Sequence, residues 1–215
     1  TDWGFDGLGN WINLTIGTDT FKNTANEMNE YDNFKGVSLI HDNNGNETDD
    51  GTYFFKWDYQ NRLRTVVRKT DGALVAVYSY DAIGRRIRKV ITNSEALNGD
   101  TNFYMDGWQE IEERDGSNAV VQQYVYGVYI DEPLVLHRNL NGNNSTTDQD
   151  DRQLFYHQNT LYSVFALTDT AGKVIEGYRY DAYGRQTVLE AGANGIVDFG
   201  GDDMVTPGGI GSIDN

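Results

Sequence analysis

The sequence predicts an all-β fold built from consecutive antiparallel hairpins, without a helix of significant length. Residues 78–85 recur as residues 178–185, with Tyr, Tyr, Asp, Ala, Gly and Arg in the same order, and such internal repeats indicate a repeat architecture. The chain holds 4 Trp, 14 Tyr and 9 Phe, and aromatic side chains favour strands. Its 24 Gly stand beside only two Pro, which is typical of many short turns.

One repeat is predicted to be a strand, a turn and a second strand. Tyr78 and Tyr80 are two positions apart and so share one face of a strand. Asp81 opens the turn, where its carboxylate can accept backbone N–H groups. Gly84 lies where a tight turn needs a positive φ. Arg85 begins the return strand, either stacked on a Tyr ring or paired with Asp81. The second repeat has Tyr178, Tyr180, Asp181, Gly184 and Arg185 at these positions.

Weaker forms of the turn precede and follow the first of these repeats. They are predicted at Asp6 with Gly9, at Asp42 with Gly45, at Asp58 with Asn61 and, most weakly, at Asp106. Asn61 replaces Gly in its turn, and Asn is the non-Gly residue that best tolerates the left-handed region. The substitution is therefore consistent with the turn prediction.

The remaining segments fit hairpins and loops. Residues 11–16 alternate as a strand does, whereas residues 18–30 are predicted to be a polar loop with one turn of helix near residues 25–28. A hairpin turn is predicted at Asp115-Gly116. Further strands are predicted at 128–136, 154–157 and 163–167, with an edge or bulge at Pro133 and a turn at 170–173. Residues 139–152 read as a surface loop. The repeat region spans 1–189, and residues 190–215 form a Gly-rich extended tail.

Composition excludes several classes of function. The 17 Lys and Arg face 33 Asp and Glu, which gives a net charge of −16 and disfavours nucleic acid or anionic membranes as partners. The absence of Cys excludes disulfides, thiolate zinc sites and a Cys nucleophile. The sequence contains no run of 18 apolar residues, so no membrane-spanning segment is predicted. The chain begins at Thr1 without Met, so we expect a fragment or a processed product.

Candidate chemistry is sparse, and no cofactor is predicted apart from calcium. The three histidines, His41, His137 and His157, are predicted to be structural, since no local motif points to a catalytic triad. A pair of carboxylates of the glycosidase type stays open, because it depends on spatial separation. Oxygen ligands at alternate positions predict possible calcium sites at Asp42, Asn44, Asn46, Asp49 and Asp50, and around Asn141, Asn143, Asp148, Asp150 and Asp151.

The motifs resemble the Rhs/YD-repeat family, whose signature is Tyr-x-Tyr-Asp-x-x-Gly-Arg, with Asn also found at the last place. The resemblance covers roughly residues 3–189 and is strongest at Asp81 and Asp181. A later segment, which includes Tyr156 and His157, also resembles the family, but has Asn159 and Tyr162 where the family usually carries Asp and Gly. The resemblance implies a hollow β-shell wound from hairpins. Bacterial members enclose a C-terminal toxin, and the related teneurins act in cell adhesion.

Three functions follow from the resemblance and the composition. The first is a non-enzymatic, extracellular module of a secreted bacterial protein, whose partners are further repeats or further copies and which encloses a payload or assembles at the cell surface. The second is a carbohydrate-binding or adhesion surface, because rows of Tyr and Trp can stack on sugars. The third is an enzyme. The family's Asp-Pro-x-Gly self-cleavage motif is absent from this sequence, so self-cleavage is not predicted.

Overall fold

A computed structural model describes residues 2–149, 151–181, 184–190 and Val197. It divides the chain into two compact units, residues 1–100 and 101–215. The described residues form an all-β structure, and their one helical element is the 3-10 turn Glu95–Leu97. The predicted fold class of antiparallel hairpins is therefore confirmed. No helix among these residues is long and apolar enough to span a membrane.

The first unit contains strands that pair in the order of the chain. They are β1 (Asp2–Phe5), β2 (Trp11–Ile16), β3 (Asp19–Lys22), β4 (Thr24–Ala25), β5 (Tyr31–Phe34), β6 (Val37–Ser38), β7 (Ile40–His41), β8 (Glu47–Asp49), β9 (Tyr53–Trp57), β10 (Leu63–Arg68), β11 (Leu74–Tyr80) and β12 (Arg86–Ile91). Strands β1–β3 and β4–β6 form two three-stranded sheets, and β7–β12 form a longer ladder. All of these pairs are antiparallel.

The second unit continues the same construction. Its strands are β13 (Gly99–Asp106), β14 (Gln109–Asp115), β15 (Val120–Tyr126), β16 (Pro133–Arg138), β17 (Arg152–Gln158), β18 (Val164–Thr168), β19 (Val174–Tyr180) and β20 (Gln186–Glu190). Each pairs with the next in antiparallel fashion. Among the described residues, β20 pairs only with β19, so β20 is an edge strand. The predicted tail begins at the end of this strand, and apart from Glu190 and the buried Val197 it lies outside the described residues.

The main core lies on one face of the second unit. Leu136, Leu154, Leu167 and Tyr178 form one buried cluster. Leu136 lies directly opposite Leu154 across β16 and β17, which places their side chains on the same face of the sheet. Burying large aliphatic side chains of this kind contributes about 1.5–3 kcal/mol each.

Two sequence predictions were wrong in detail. Residues 18–30 form strands β3 and β4 and then a tight turn in which the Asn26 side chain accepts two backbone N–H groups, rather than a loop with a helical turn. The strand predicted at 128–136 begins only at Pro133. The register shifts where Tyr126 pairs with Pro133, which confirms the predicted bulge and suits a residue that lacks an N–H donor.

Candidate functional site

The turn at Asp81 shows why the repeat needs its residues. The Asp81 N–H donates to the Arg85 carbonyl at 2.9 Å, and the Gly84 N–H donates to the Asp81 carbonyl at 3.2 Å. The Asp81 carboxylate accepts the backbone N–H groups of Ile83 at 3.0 Å and Arg85 at 2.9 Å. Gly84 has φ +93°, a conformation that costs an L-residue energy. The carboxylate thus pairs with backbone N–H groups of the turn that have no backbone acceptor.

The same backbone scheme occurs nine times among the described residues. The turns begin at Asp6, Asn26, Asp42, Asp58, Asp81, Asp115, Asn159, Asp169 and Asp181. The fourth residue of each turn has positive φ, and these residues are Gly9, Asn29, Gly45, Asn61, Gly84, Asn118, Tyr162, Gly172 and Gly184. At Asp181 the two central residues, 182 and 183, lie outside the described residues, but its carboxylate accepts the Arg185 N–H at 2.9 Å. The repeat is therefore defined by a local backbone geometry that recurs along the chain, and its sequence varies.

The sequence analysis predicted no turn at Asn26 or Asn159, although the resemblance had placed Asn159 and Tyr162 where the family carries Asp and Gly, and it misplaced one turn. Asn26 and Asn159 each accept two backbone N–H groups through the side-chain carbonyl, as Asp does elsewhere. An Asn followed three places later by a second Asn was the available signal at Asn26. Asp106 does not open this turn, because it pairs directly with Gln109 across a two-residue hairpin in which Gly107 has φ +57°.

In the first unit, successive turns contact one another through their fifth residue. The Asn10 amide donates to Asn29 of the next turn at 2.6 Å. The Asn46 amide donates to Asn61 at 2.9 Å in the same relation. Arg62 donates to the Asp81 carbonyl at 3.2 Å. These contacts hold neighbouring hairpins in step, beyond the hydrogen bonds of the strands.

The tyrosine pairs and Arg85 have separate roles. The hydroxyl of Tyr80 donates to the Leu63 carbonyl at 2.8 Å, and that of Tyr180 donates to the Val164 carbonyl at 2.9 Å. Each acceptor is the first residue of the strand that follows an earlier turn, so the second Tyr links two hairpins. Arg85 pairs with Asp81, with Nε 2.6 Å from the carboxylate, which is one of its two predicted contacts.

The turn carboxylates are stabilised in their charged form. The Asn10 side chain lowers the pKa of Asp6 by hydrogen bonding to its carboxylate. At Asp81, burial is the largest single influence and raises the pKa, but the hydrogen bonds from Arg85 and Ile83 and the charge of Arg85 together outweigh it and lower the pKa. The pKa values of Asp42 and Asp58 are lowered as well. Several turns therefore favour the ionised carboxylate together.

Acid is expected to destabilise the chain through these turns. Because each folded pKa lies below its ordinary value of 3.8, the stabilisation is fully present above that value and is lost as pH falls through the folded pKa. Urea unfolding followed from about pH 5 to about pH 2 should show a falling midpoint. Replacing Asp81 by Asn keeps one acceptor oxygen and should reduce the acid dependence. A midpoint that stays constant across this range would contradict the assignment.

The predicted calcium ligands of the first loop are engaged in other contacts. Asp42 accepts the backbone N–H of Asn44 and of Asn46. Asp49 pairs with Lys69 at 2.6 Å, and the Asp50 carboxylate accepts backbone N–H groups. The described residues contain no group of three or more His, Cys, Asp or Glu that could hold a metal ion. Calcium binding at Asp42, Asn44, Asn46, Asp49 and Asp50 stays a prediction.

The described residues of the second candidate calcium loop and two of the histidines make local contacts. The side chain of Asn143 donates to Asp148, and Asp150 lies outside the described residues. His137 lines a cavity of about 310 Å³ beside Asp148 and other residues. His157 shares a hydrogen bond with the Thr168 hydroxyl at 2.8 Å, which is consistent with the predicted structural role.

A concave site lies on the tyrosine face of the second unit. A cavity of about 220 Å³ is lined by Glu110, Tyr124, Tyr126, Pro133, Tyr156, Val164, Tyr178, Tyr180 and Gln186. Its five tyrosines come from β15, β17 and β19, and the strands between and beside them contribute the other lining residues. From sequence, Tyr178 and Tyr180 were predicted to share one face of a strand, and Tyr124 and Tyr126 resembled such a pair, but their meeting in one cavity was not predicted.

Two carboxylates support the tyrosines of this face. The Tyr124 hydroxyl donates to Glu113 at 2.5 Å, and the Tyr178 hydroxyl donates to Glu176. Burial first, and then the neighbouring carboxylates, raise the pKa of Tyr124 and of Tyr178. These phenols are therefore neutral hydrogen-bond donors rather than bases or nucleophiles at neutral pH.

Two curated bacterial proteins are similar to this chain. The tRNA3(Ser)-specific nuclease WapA of Bacillus spizizenii is 33% identical over 196 residues, and the tRNA nuclease WapA of Bacillus subtilis is 32% identical over the same length. Each match covers 88% of this chain but only 8% of the relative. The chain thus corresponds to a small part of these proteins.

Solved structures share the fold at lower identity. A Photorhabdus luminescens Tc holotoxin pore with a TccC3 mutation matches 91% of this chain with a TM-score of 0.61 at 14% identity. The TcdB2-TccC3-Cdc42 crystal structure matches 86% with a TM-score of 0.61 at 14% identity. The chain covers 11% and 10% of those chains.

No family model matches the chain. The assignment therefore depends on the WapA relatives, on the TccC3-like fold and on the turn that the structure repeats nine times. Together these observations show that the chain belongs to the Rhs/YD-repeat family.

Proposed function

We propose that this chain is a structural, non-enzymatic segment of the wall of a repeat shell in a secreted bacterial protein. The main support for this proposal is the unbroken succession of hairpins in the second unit. Each strand from β13 to β20 pairs there with the next in chain order. The resemblance to the family implies that such hairpins enclose a payload or assemble at the cell surface. The segment's function would then be to form a barrier rather than to catalyse a reaction.

The charge of the chain supports a wall rather than a nucleic-acid-binding role. Two relatives are named as tRNA nucleases, yet this chain carries a net charge of −16. An acidic body repels the phosphate backbone, whose neutralisation by Lys and Arg supplies most of the affinity of such complexes. Contact with tRNA is therefore assigned to other parts of those relatives.

A carbohydrate-binding surface is the second candidate, and the cavity on the tyrosine face favours it. Sugar stacking needs exposed ring faces, but Tyr178 is only 8% exposed and its hydroxyl is bonded to Glu176. Tyr180 is more open at 43% exposure. The degree of burial supports a structural role for most of this face.

The edge strand gives a test of the wall proposal. Because β20 has no strand on its outer side among the described residues, its unpaired N–H and C=O groups are a template for another strand. We expect the purified 215-residue chain to associate as its concentration rises, as measured by light scattering with and without calcium. A monomer at every concentration, with a single cooperative unfolding transition, would contradict the proposal.

A further inference from the structure

The cavity on the tyrosine face is large enough for a small organic group. Its volume is about 220 Å³, whereas an apolar cavity of about 150 Å³ in another protein accommodates benzene. Aromatic rings form most of its wall, Glu110 contributes a carboxylate, and neither Lys nor Arg is among its lining residues. The cavity therefore combines ring faces with negative charge.

The hydrogen-bond donors of the cavity are largely used by the chain itself. The hydroxyl hydrogens of Tyr124 and Tyr178 point to the carboxylates of Glu113 and Glu176. The Tyr180 hydroxyl donates to the Val164 carbonyl at 2.9 Å. Three of the five tyrosine hydroxyls are thus committed, so the tyrosines offer few donors to a ligand, although the side-chain amide of Gln186 also lines the cavity. A ligand that itself supplies donors and positive charge fits this chemistry better than one that needs to accept hydrogen bonds.

The electrostatic environment has the matching sign. The pKa of Tyr126 is raised to about 12, first by burial and then by the charges of Glu110 and Glu113. Burial also raises the pKa of Tyr156, and the tyrosine Tyr126 and the carboxylate of Glu113 add to this effect. Burial disfavours any charged group, but the contribution of the carboxylates reflects a negative potential, and this potential attracts a cation to the same space.

We propose that this cavity is a binding site for an organic cation, namely the guanidinium or alkylammonium group of a basic side chain. Aromatic faces attract such groups through their quadrupole, and the attraction is stronger where water is partly excluded. The chain already uses this contact, since Arg114 lies 5.0 Å from the ring centre of Tyr104 in the second unit. The site does not depend on whether the segment closes into a shell.

The test uses a matched pair of small ligands on the whole 215-residue chain. N-acetyl-arginine amide is titrated while tyrosine fluorescence or NMR shifts are recorded, and N-acetyl-citrulline amide serves as a neutral probe of nearly the same shape. We expect saturable, salt-sensitive binding of the arginine derivative in the millimolar range, and much weaker binding of the citrulline derivative. Replacing Glu110 by Gln should lower the affinity for the arginine derivative about tenfold or more, because a charge-assisted contact is lost.

A second charge variant separates a local site from the general acidity of the chain. Asp106 is exposed and does not line the cavity, so Asp106→Asn removes the same charge and should leave the affinity within about twofold, because exposed charges are screened. Equal weakening by the two variants would overturn the proposal. So would equal binding of both probes, or binding of N-acetylglucosamine without binding of the arginine derivative, which would instead favour the sugar-binding candidate. Urea unfolding of each variant checks that its fold is retained.

Discussion

Truncation of Leu136 to alanine is expected to lower the free energy of unfolding by about 3 kcal/mol, within the range of about 2–5 kcal/mol for buried leucines. Leu136 is fully buried and packs in one cluster with Leu154, Leu167 and Tyr178. The change removes apolar contacts and leaves a cavity that neighbouring strands fill only partly. Urea unfolding of the chain, followed by tyrosine fluorescence and circular dichroism, measures the loss.

Leu161 provides the matched control in the same unit. It is 81% exposed and follows the turn residue Asn159 by two places. Leu161→Ala removes the same atoms and should change stability by less than about 0.5 kcal/mol. If the two variants lose stability equally, the buried cluster is not the core of the second unit.

Replacement of Gly84 by alanine is expected to destabilise the chain by about 1–2 kcal/mol, the cost of placing an L-residue in the left-handed region. Gly84 has φ +93°. An added Cβ would come no closer than 3.9 Å to any neighbour, which is the Arg62 side chain. Steric overlap therefore does not contribute, and the difference between the losses in urea unfolding at Gly84 and at the control position Gly7 measures the backbone conformation of the turn.

Gly7 is the control for this substitution. It also lies in a repeat turn, directly after Asp6, and an added Cβ would meet nothing within 4 Å. Its φ is outside the positive range. Gly7→Ala should therefore be neutral or slightly stabilising, because alanine restricts the unfolded chain. A loss at Gly7 equal to that at Gly84 would show that the fourth position of the turn has no special conformation.

Much of the fold could be predicted because the turn is encoded locally. An Asp followed three places later by Gly supplies both the side-chain acceptor and the residue that tolerates positive φ. Alternation of aromatic and β-branched residues on either side then gives the strands. These signals are strongest at Asp81 and Asp181, and the structure has the predicted hairpin around Asp81.

The turns that sequence reasoning missed use residues that fit the geometry less obviously. At Asn159 an amide oxygen replaces the carboxylate, and Tyr162 takes the position of Gly with φ +62°. A bulky residue in this conformation is uncommon. Here Tyr162 stacks on Tyr129 at a ring distance of 4.5 Å, a contact between two turns far apart in sequence. Local patterns do not reveal such compensation.

The tyrosine cavity could not be predicted for a related reason. Its residues come from β14 to β20, so their meeting depends on the register of seven successive strands. A slip of one residue in any of these strands would turn its lining residues to the opposite face. Sequence alone identified Tyr178 and Tyr180 as a pair on one face, but not the carboxylate of Glu110 beside them.

An electron cryomicroscopy structure of the longest natural polypeptide that contains this chain would test its role as a wall segment most directly. The account predicts that β20 pairs on its outer side with a strand from a further repeat, and that the hairpins continue into the wall of a hollow shell. A structure in which residues 1–215 fold as a separate closed domain, with no strand from outside this segment added to β20, would contradict it.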